Sequence, residues 1–125
     1  MDREFSVKLE DIPGELARVT EILQKDGVSL RTITIEHYAK VVRVVTSDSE
    51  KARESLTQSN MMFSERSLLI AKLKNGPGEL ARLAKTLASE GINIDSAYMV
   101  DKDSTYVHMA LAVSDDDKAR KVLKL

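Results

Sequence analysis

The seven residues from Pro13, PGELARV, return from Pro77 as PGELARL, 64 positions further on. Between Pro13–Gly27 and Pro77–Gly91, eight of fifteen positions are identical: Pro, Gly, Glu, Leu, Ala, Arg, a later Leu (Leu23 and Leu87) and the closing Gly. A second block repeats at an offset of 67, where Asp48, Lys51, Ala52, Arg53 and Leu56 match Asp115, Lys118, Ala119, Arg120 and Leu123. An internal repeat of this period makes two similar units the first expectation. The copies are read as residues 1–66 and 67–125. The change of offset gives copy two three extra residues, which are expected in the DKDST turn because insertions settle in exposed loops.

The punctuation follows the repeat. The chain has two prolines and five glycines. Both prolines and Gly14, Gly27, Gly78 and Gly91 stand at equivalent points of the copies; Gly76 has no counterpart. Proline at the start of a helix and glycine just past its end is the expected asymmetry, so Leu16, Val19 and Leu23, and Leu80, Leu83 and Leu87, read as helices. Phe5 to Leu9 alternates apolar and polar residues, as a half-buried strand does. Val28 to Glu36 and Val41 to Val45 read as strands joined by a turn at His37 to Lys40. Asp48 is placed to cap a second helix, and Met61 to Glu65 follows as a strand. Copy two predicts strands at Ser67 to Lys74, Ile92 to Val100 and Thr105 to Val113, with helices at Glu79 to Glu90 and from Asp117. The order in each copy is β-α-β-β-α-β, the split βαβ arrangement. Copy two reaches Leu125 within or just after its second helix, so its last strand is expected to be absent. The fold class is α+β, with two ferredoxin-like units, antiparallel sheets and helices on one face. The units are expected side by side, sharing an extended sheet.

Composition removes several functions. The 19 Lys and Arg residues balance 20 Asp and Glu, a net charge of −1, which argues against a basic nucleic-acid or membrane-surface binder. The third strands, VVRVV and VHMALAV, lack the stacking aromatic residues of an RNA-recognition sheet. No cysteine is present, so a disulfide framework, a thiolate metal site and a cysteine nucleophile are excluded. His37 and His108 have no partner at metal-ligand spacing. Neither an acid–histidine pair nor a GxxxxGK loop offers catalysis. The opening MDREFSVKLED has no apolar stretch of a secretory signal, so a cytoplasmic location is expected, with no cofactor, nucleic acid or membrane.

Asp11-Ile12-Pro13-Gly14-Glu15-Leu16 followed by Gly27-Val28-Ser29-Leu30, and Asn75-Gly76-Pro77-Gly78-Glu79-Leu80 followed by Gly91-Ile92-Asn93-Ile94, resemble the ACT domain twice over. The resemblance covers nearly the whole chain. It implies a regulatory module that senses a small molecule, most often an amino acid, at an interface between ACT units. It implies no catalysis. In copy two the implied binding residues are Asn75, Gly76, Pro77, Gly78, Glu79, Leu80 and Asn93. In copy one they are Asp11, Pro13, Gly14, Leu16 and Ser29. Copy two, with an Asn at both polar positions, is expected to be the better site.

The chemistry is reasonable without the resemblance. The first N–H groups of a helix have no intrahelical partner and sit at its positive end, which suits a carboxylate. Glycine lets a ligand approach the backbone, and amide side chains offer donors and acceptors. Glu15 and Glu79 in the first turns oppose an anionic guest. A different reading is a ligand-free interaction module that regulates a partner enzyme. If the last strand of copy two is absent, Ser67 to Lys74 becomes an open sheet edge, and a homodimer or higher oligomer is expected.

Overall fold

A computed structural model describes residues 2–125. The chain divides into two compact units, the first running to Arg66 and the second Ser67–Leu125. In unit 1 the order is β1 (Arg3–Lys8), α1 (Glu15–Lys25), β2 (Leu30–Glu36), β3 (Val41–Thr46), α2 (Ser49–Gln58) and β4 (Phe63–Ser67). In unit 2 it is β5 (Leu69–Lys74), α3 (Glu79–Ser89), β6 (Ile94–Lys102), β7 (Tyr106–Val113) and α4 (Asp116–Leu123).

The strands form two sheets, of order β2-β3-β1-β4 and β5-β7-β6, rather than one extended sheet. Each sheet buries its own apolar face under its own two helices. In unit 1, Phe5 and Val7 of β1 and Val42 and Val44 of β3 meet Val19 and Leu23 of α1 and Leu56 of α2. In unit 2, Leu69, Met109 and Leu111 meet Leu83 and Leu87 of α3 and Ala119 of α4. The period-two strand pattern and the i, i+4 helix pattern bring these side chains to one layer. Complete burial of one such side chain is worth about 1.5–3 kcal/mol.

The four helices among the described residues end alike. Gly27, Gly91, Asn60 and Lys124 have φ between 55° and 73°, and the residue after each donates its N–H back into the last helical turn. Val28 reaches the Leu23 carbonyl at 2.9 Å, Ile92 reaches Leu87 at 3.0 Å, Met61 reaches Leu56 at 3.0 Å and Leu125 reaches Arg120 at 2.9 Å. This left-handed closure satisfies orphan carbonyls. It also explains why β2, β4 and β6 start about two residues later than the sequence pattern suggests. Val28, Met61 and Ile92 belong to the helix exit and are buried there. Met62, next in line, is exposed.

The three extra residues of copy two lie elsewhere than expected. The β6–β7 turn, Asp103 to Thr105, is one residue shorter than the β2–β3 turn. The strands are longer instead: β2 and β3 have 7 and 6 residues, β6 and β7 have 9 and 8. In a two-residue period an odd insertion would turn every later side chain over. A register shift between Met99 and Asp101 absorbs it, as a bulge does. The shift between Ile94 and Ser96 has its counterpart between Leu30 and Thr32.

Candidate functional site

The two PGEL segments fold alike. Gly14 (φ 93°) and Gly78 (φ 86°) precede α1 and α3 in the left-handed conformation, and neither helix start receives a side-chain cap. The other two helices are capped: the Asp48 carboxylate accepts the Lys51 N–H at 3.1 Å, and Asp115 accepts that of Lys118 at 3.0 Å. Each unit therefore has one helix whose N-terminus is self-capped and one whose N-terminus is open. Nothing lies within 4 Å of the place a Cβ would occupy at Gly14, Gly76 or Gly78. Pro13, Gly14, Pro77 and Gly78 are exposed. Leu16 and Leu80 also face outward, at 37% and 46% exposure.

The first-turn glutamates are occupied. Glu15 is buried; its carboxylate accepts the Glu10 N–H at 3.1 Å and lies 3.8 Å from Arg18. It therefore holds the β1–α1 loop. Glu79 pairs with Arg82. These internal partners offset the charge that would face an anionic guest.

The residue two before the proline ties its loop to the neighbouring hairpin turn in both units. Asp11 lies 3.4 Å from Lys40 Nζ. The Asn75 N–H donates to the Thr105 carbonyl at 2.8 Å, and its Nδ2 donates to the Asp103 carbonyl at 3.1 Å. The longer β6–β7 hairpin makes the second arrangement possible. Asp103 is itself fixed: backbone N–H groups of Tyr106 and Thr105 hold its carboxyl below the ordinary range. Beside it, Lys72 Nζ sits 4.1 Å from the centre of the Tyr106 ring.

Ser29 and Asn93 occupy a different place. The Asn93 N–H donates to the Ser114 hydroxyl at 2.9 Å, and the Ser114 N–H donates to the Asn93 carbonyl at 3.0 Å. Ser29 and Ser47 form the same pair at 3.2 and 2.9 Å. Asn93 is exposed, and these bonds use its backbone. It lies beyond the far end of α3 from Gly78. Eleven residues of helix span about 16 Å. A single small ligand cannot touch the Asn75–Leu80 loop and Asn93 of the same unit.

The sequence did not single out the clefts of unit 1. One of about 320 Å³ opens beside the β1–α1 loop, between Leu9, Glu15, Arg18 and Met61. A larger one of about 710 Å³ lies at the opposite end, around Arg3, Thr46, Arg53 and Glu65. There Arg53 donates to Glu65 from Nε and Nη2, each at 2.7 Å, and Arg3 donates to the same carboxylate at 3.0 Å. Among the described residues, no group of three His, Asp or Glu side chains is placed to hold a metal. No helix among them is long and apolar enough to cross a membrane.

The family model of the ACT domain pair matches residues 2–125. Protein BT0572 from Bacteroides thetaiotaomicron superposes with a TM-score of 0.88 at 28% identity, over 98% of this chain and 85% of that one. The regulatory subunit of aspartate kinase from Thermus flavus superposes at 0.68 with 16% identity, over 98% of this chain and 88% of that one. Aspartokinase III of E. coli, crystallised with aspartate and ADP, gives 0.63 at 17% identity, over 99% of this chain and 30% of that one. No curated protein sequence matches. The chain belongs to the ACT domain pair family.

Proposed function

We propose that this ACT domain pair is a cytoplasmic, non-catalytic regulatory module that binds an amino acid. The ligand carboxylate is held at the open N-terminus of α3. The observation that carries this reading is the contrast between helix starts: α2 and α4 are capped by Asp48 and Asp115, whereas Gly14 and Gly78 leave α1 and α3 without a side-chain cap. Uncapped N–H groups at the positive end of a helix favour an anion. Gly78 gives it access to the backbone, and Asn75 presents its carbonyl oxygen to an ammonium while its Nδ2 is engaged with Asp103.

Asn93 serves the same ligand from another copy of the chain. The length of α3 separates it from its own loop, so a ligand that touches both kinds of group lies between chains. Binding and self-association are then linked, and the ligand shifts the assembly only by its preference for the associated state. The test is a thermal-shift screen against the twenty amino acids, repeated on Asn93→Ala. One amino acid should raise the midpoint by several degrees when present at about 100 times its Kd, and Asn93→Ala should lose that response while keeping its ligand-free midpoint. A flat screen would sink the proposal.

A second reading, a ligand-free module that docks on a partner enzyme, is favoured by one feature. Ile33 and Ile35 on edge strand β2 are 38% and 52% exposed. They stand opposite Val44 and Val42 and so share the helix-covered face of the sheet. Met99 occupies the corresponding position on β6 and is 47% exposed. Light scattering separates the readings: a monomer at tens of micromolar, with and without the amino acids, favours docking on another protein.

A further inference from the structure

The repeat supplies its own control for one unusual residue. Thr46, at the end of β3, is 3% exposed, and its hydroxyl is buried with no partner among the described residues. The corresponding residue of unit 2, by the 67-residue offset, is Val113, also buried. Valine has nearly the same shape without the hydroxyl. A buried unpaired hydroxyl lowers stability relative to an apolar isostere, so unit 1 carries a group that folding alone does not require.

Thr46 lines the 710 Å³ cleft of unit 1. Rotation about its Cα–Cβ bond moves the hydroxyl among three staggered positions. The cleft holds charge of both signs. Arg3 and Arg53 share one carboxylate, Glu65, which leaves one positive charge in excess. Asp2, Asp48 and Glu50 also line the cleft; Asp2 is paired with Arg31 at 2.6 Å, and Asp48 and Glu50 stand at the start of α2. Unit 2 arranges the matching residues differently. Arg120, the counterpart of Arg53, donates to Asp116 at 2.7 Å and to the Leu68 carbonyl at 2.9 Å.

We propose that this cleft is a second small-molecule site, present in unit 1 alone, for a zwitterion. Its carboxylate meets Arg3 and Arg53 and accepts a hydrogen bond from the Thr46 hydroxyl; its ammonium faces Asp48 and Glu50. A simple anion is disfavoured by those two carboxylates and a simple cation by the two guanidinium groups. The site is separate from the open helix starts of the proposed regulatory function.

The experiment is calorimetric and thermal-shift titration of the full chain with each of the twenty amino acids, on wild type, Thr46→Val, Thr46→Ser and Asn93→Ala. Thr46→Val should raise the ligand-free midpoint by a few degrees and weaken binding of at least one amino acid about tenfold. Thr46→Ser, which keeps the hydroxyl, should retain that binding, and so should Asn93→Ala. If Thr46→Val lowers the ligand-free midpoint, the hydroxyl already has a partner in the unliganded protein and the proposal fails. It also fails if every amino acid binds Thr46→Val as it binds wild type, or if none binds wild type; the hydroxyl then answers only to water. If every amino acid that binds wild type is lost in Asn93→Ala and kept in Thr46→Val, the helix-start site is supported and this one is overturned.

Discussion

Arg53 grips Glu65 with two hydrogen bonds of 2.7 Å, one from Nε and one from Nη2, joining α2 to β4. A bidentate guanidinium–carboxylate pair is stronger than a single-point contact. The Arg53 bonds hold the Glu65 carboxyl below its ordinary range against the upward push of burial, and Arg3 adds to them. The stability this contributes is fully present above the unfolded-state pKa of about 4.3 and is lost as pH falls through the lower folded value. Glu65→Gln should therefore cost about 1 kcal/mol at pH 7 and progressively less below about pH 4. Urea unfolding across a pH series checks this; a difference of equal size at pH 3 and pH 7 would show that the charge is not the cause.

Gly76 and Gly78 are two residues apart and should respond oppositely to alanine. Both have open space where a Cβ would stand, but only Gly78 has a positive φ, 86°. Gly78→Ala should cost about 1–2 kcal/mol, the penalty of a left-handed conformation for an L-residue. Gly76→Ala should be neutral or gain up to about 1 kcal/mol by restricting the unfolded chain. Chemical denaturation of both variants decides it, and equal effects would refute the argument from backbone conformation.

Leu80 and Leu87 lie on the same helix at 46% and 0% exposure. Leu87→Ala should cost about 2–5 kcal/mol, the range for a buried leucine that leaves a cavity. Leu80→Ala should stay within about 0.5 kcal/mol in the absence of ligand. A large loss at Leu80 in dilute protein would mean that the side chain is already covered.

The element order was legible because it rests on repeated local signals. Gly27 and Gly91 mark helix ends by the conformation they permit, whereas Asn60 and Lys124 adopt the same conformation without so plain a signature. The position of the insertion was not legible. A turn-like DKDST suggests a longer loop, yet Tyr106 and Val107 pair with Lys74 and Leu73 and extend the ladder. The Asn75–Leu80 loop and Asn93 were singled out from their motif; the length of α3 that separates them was not used in that reading. Thr46 gave no signal by itself. It becomes visible when its burial is compared with that of Val113 in the other copy.

The residues that brace the two PGEL loops differ in kind. Asp11 relies on an exposed ion pair with Lys40 at 3.4 Å, whereas Asn75 relies on two uncharged hydrogen bonds to the turn of a longer hairpin. Salt weakens the first by screening, since the Debye length shortens to about 8 Å at physiological ionic strength; it leaves the second nearly untouched. The two loops thus carry tethers of separate environmental sensitivity: the one at Asp11 weakens with rising ionic strength and the one at Asn75 is indifferent to it.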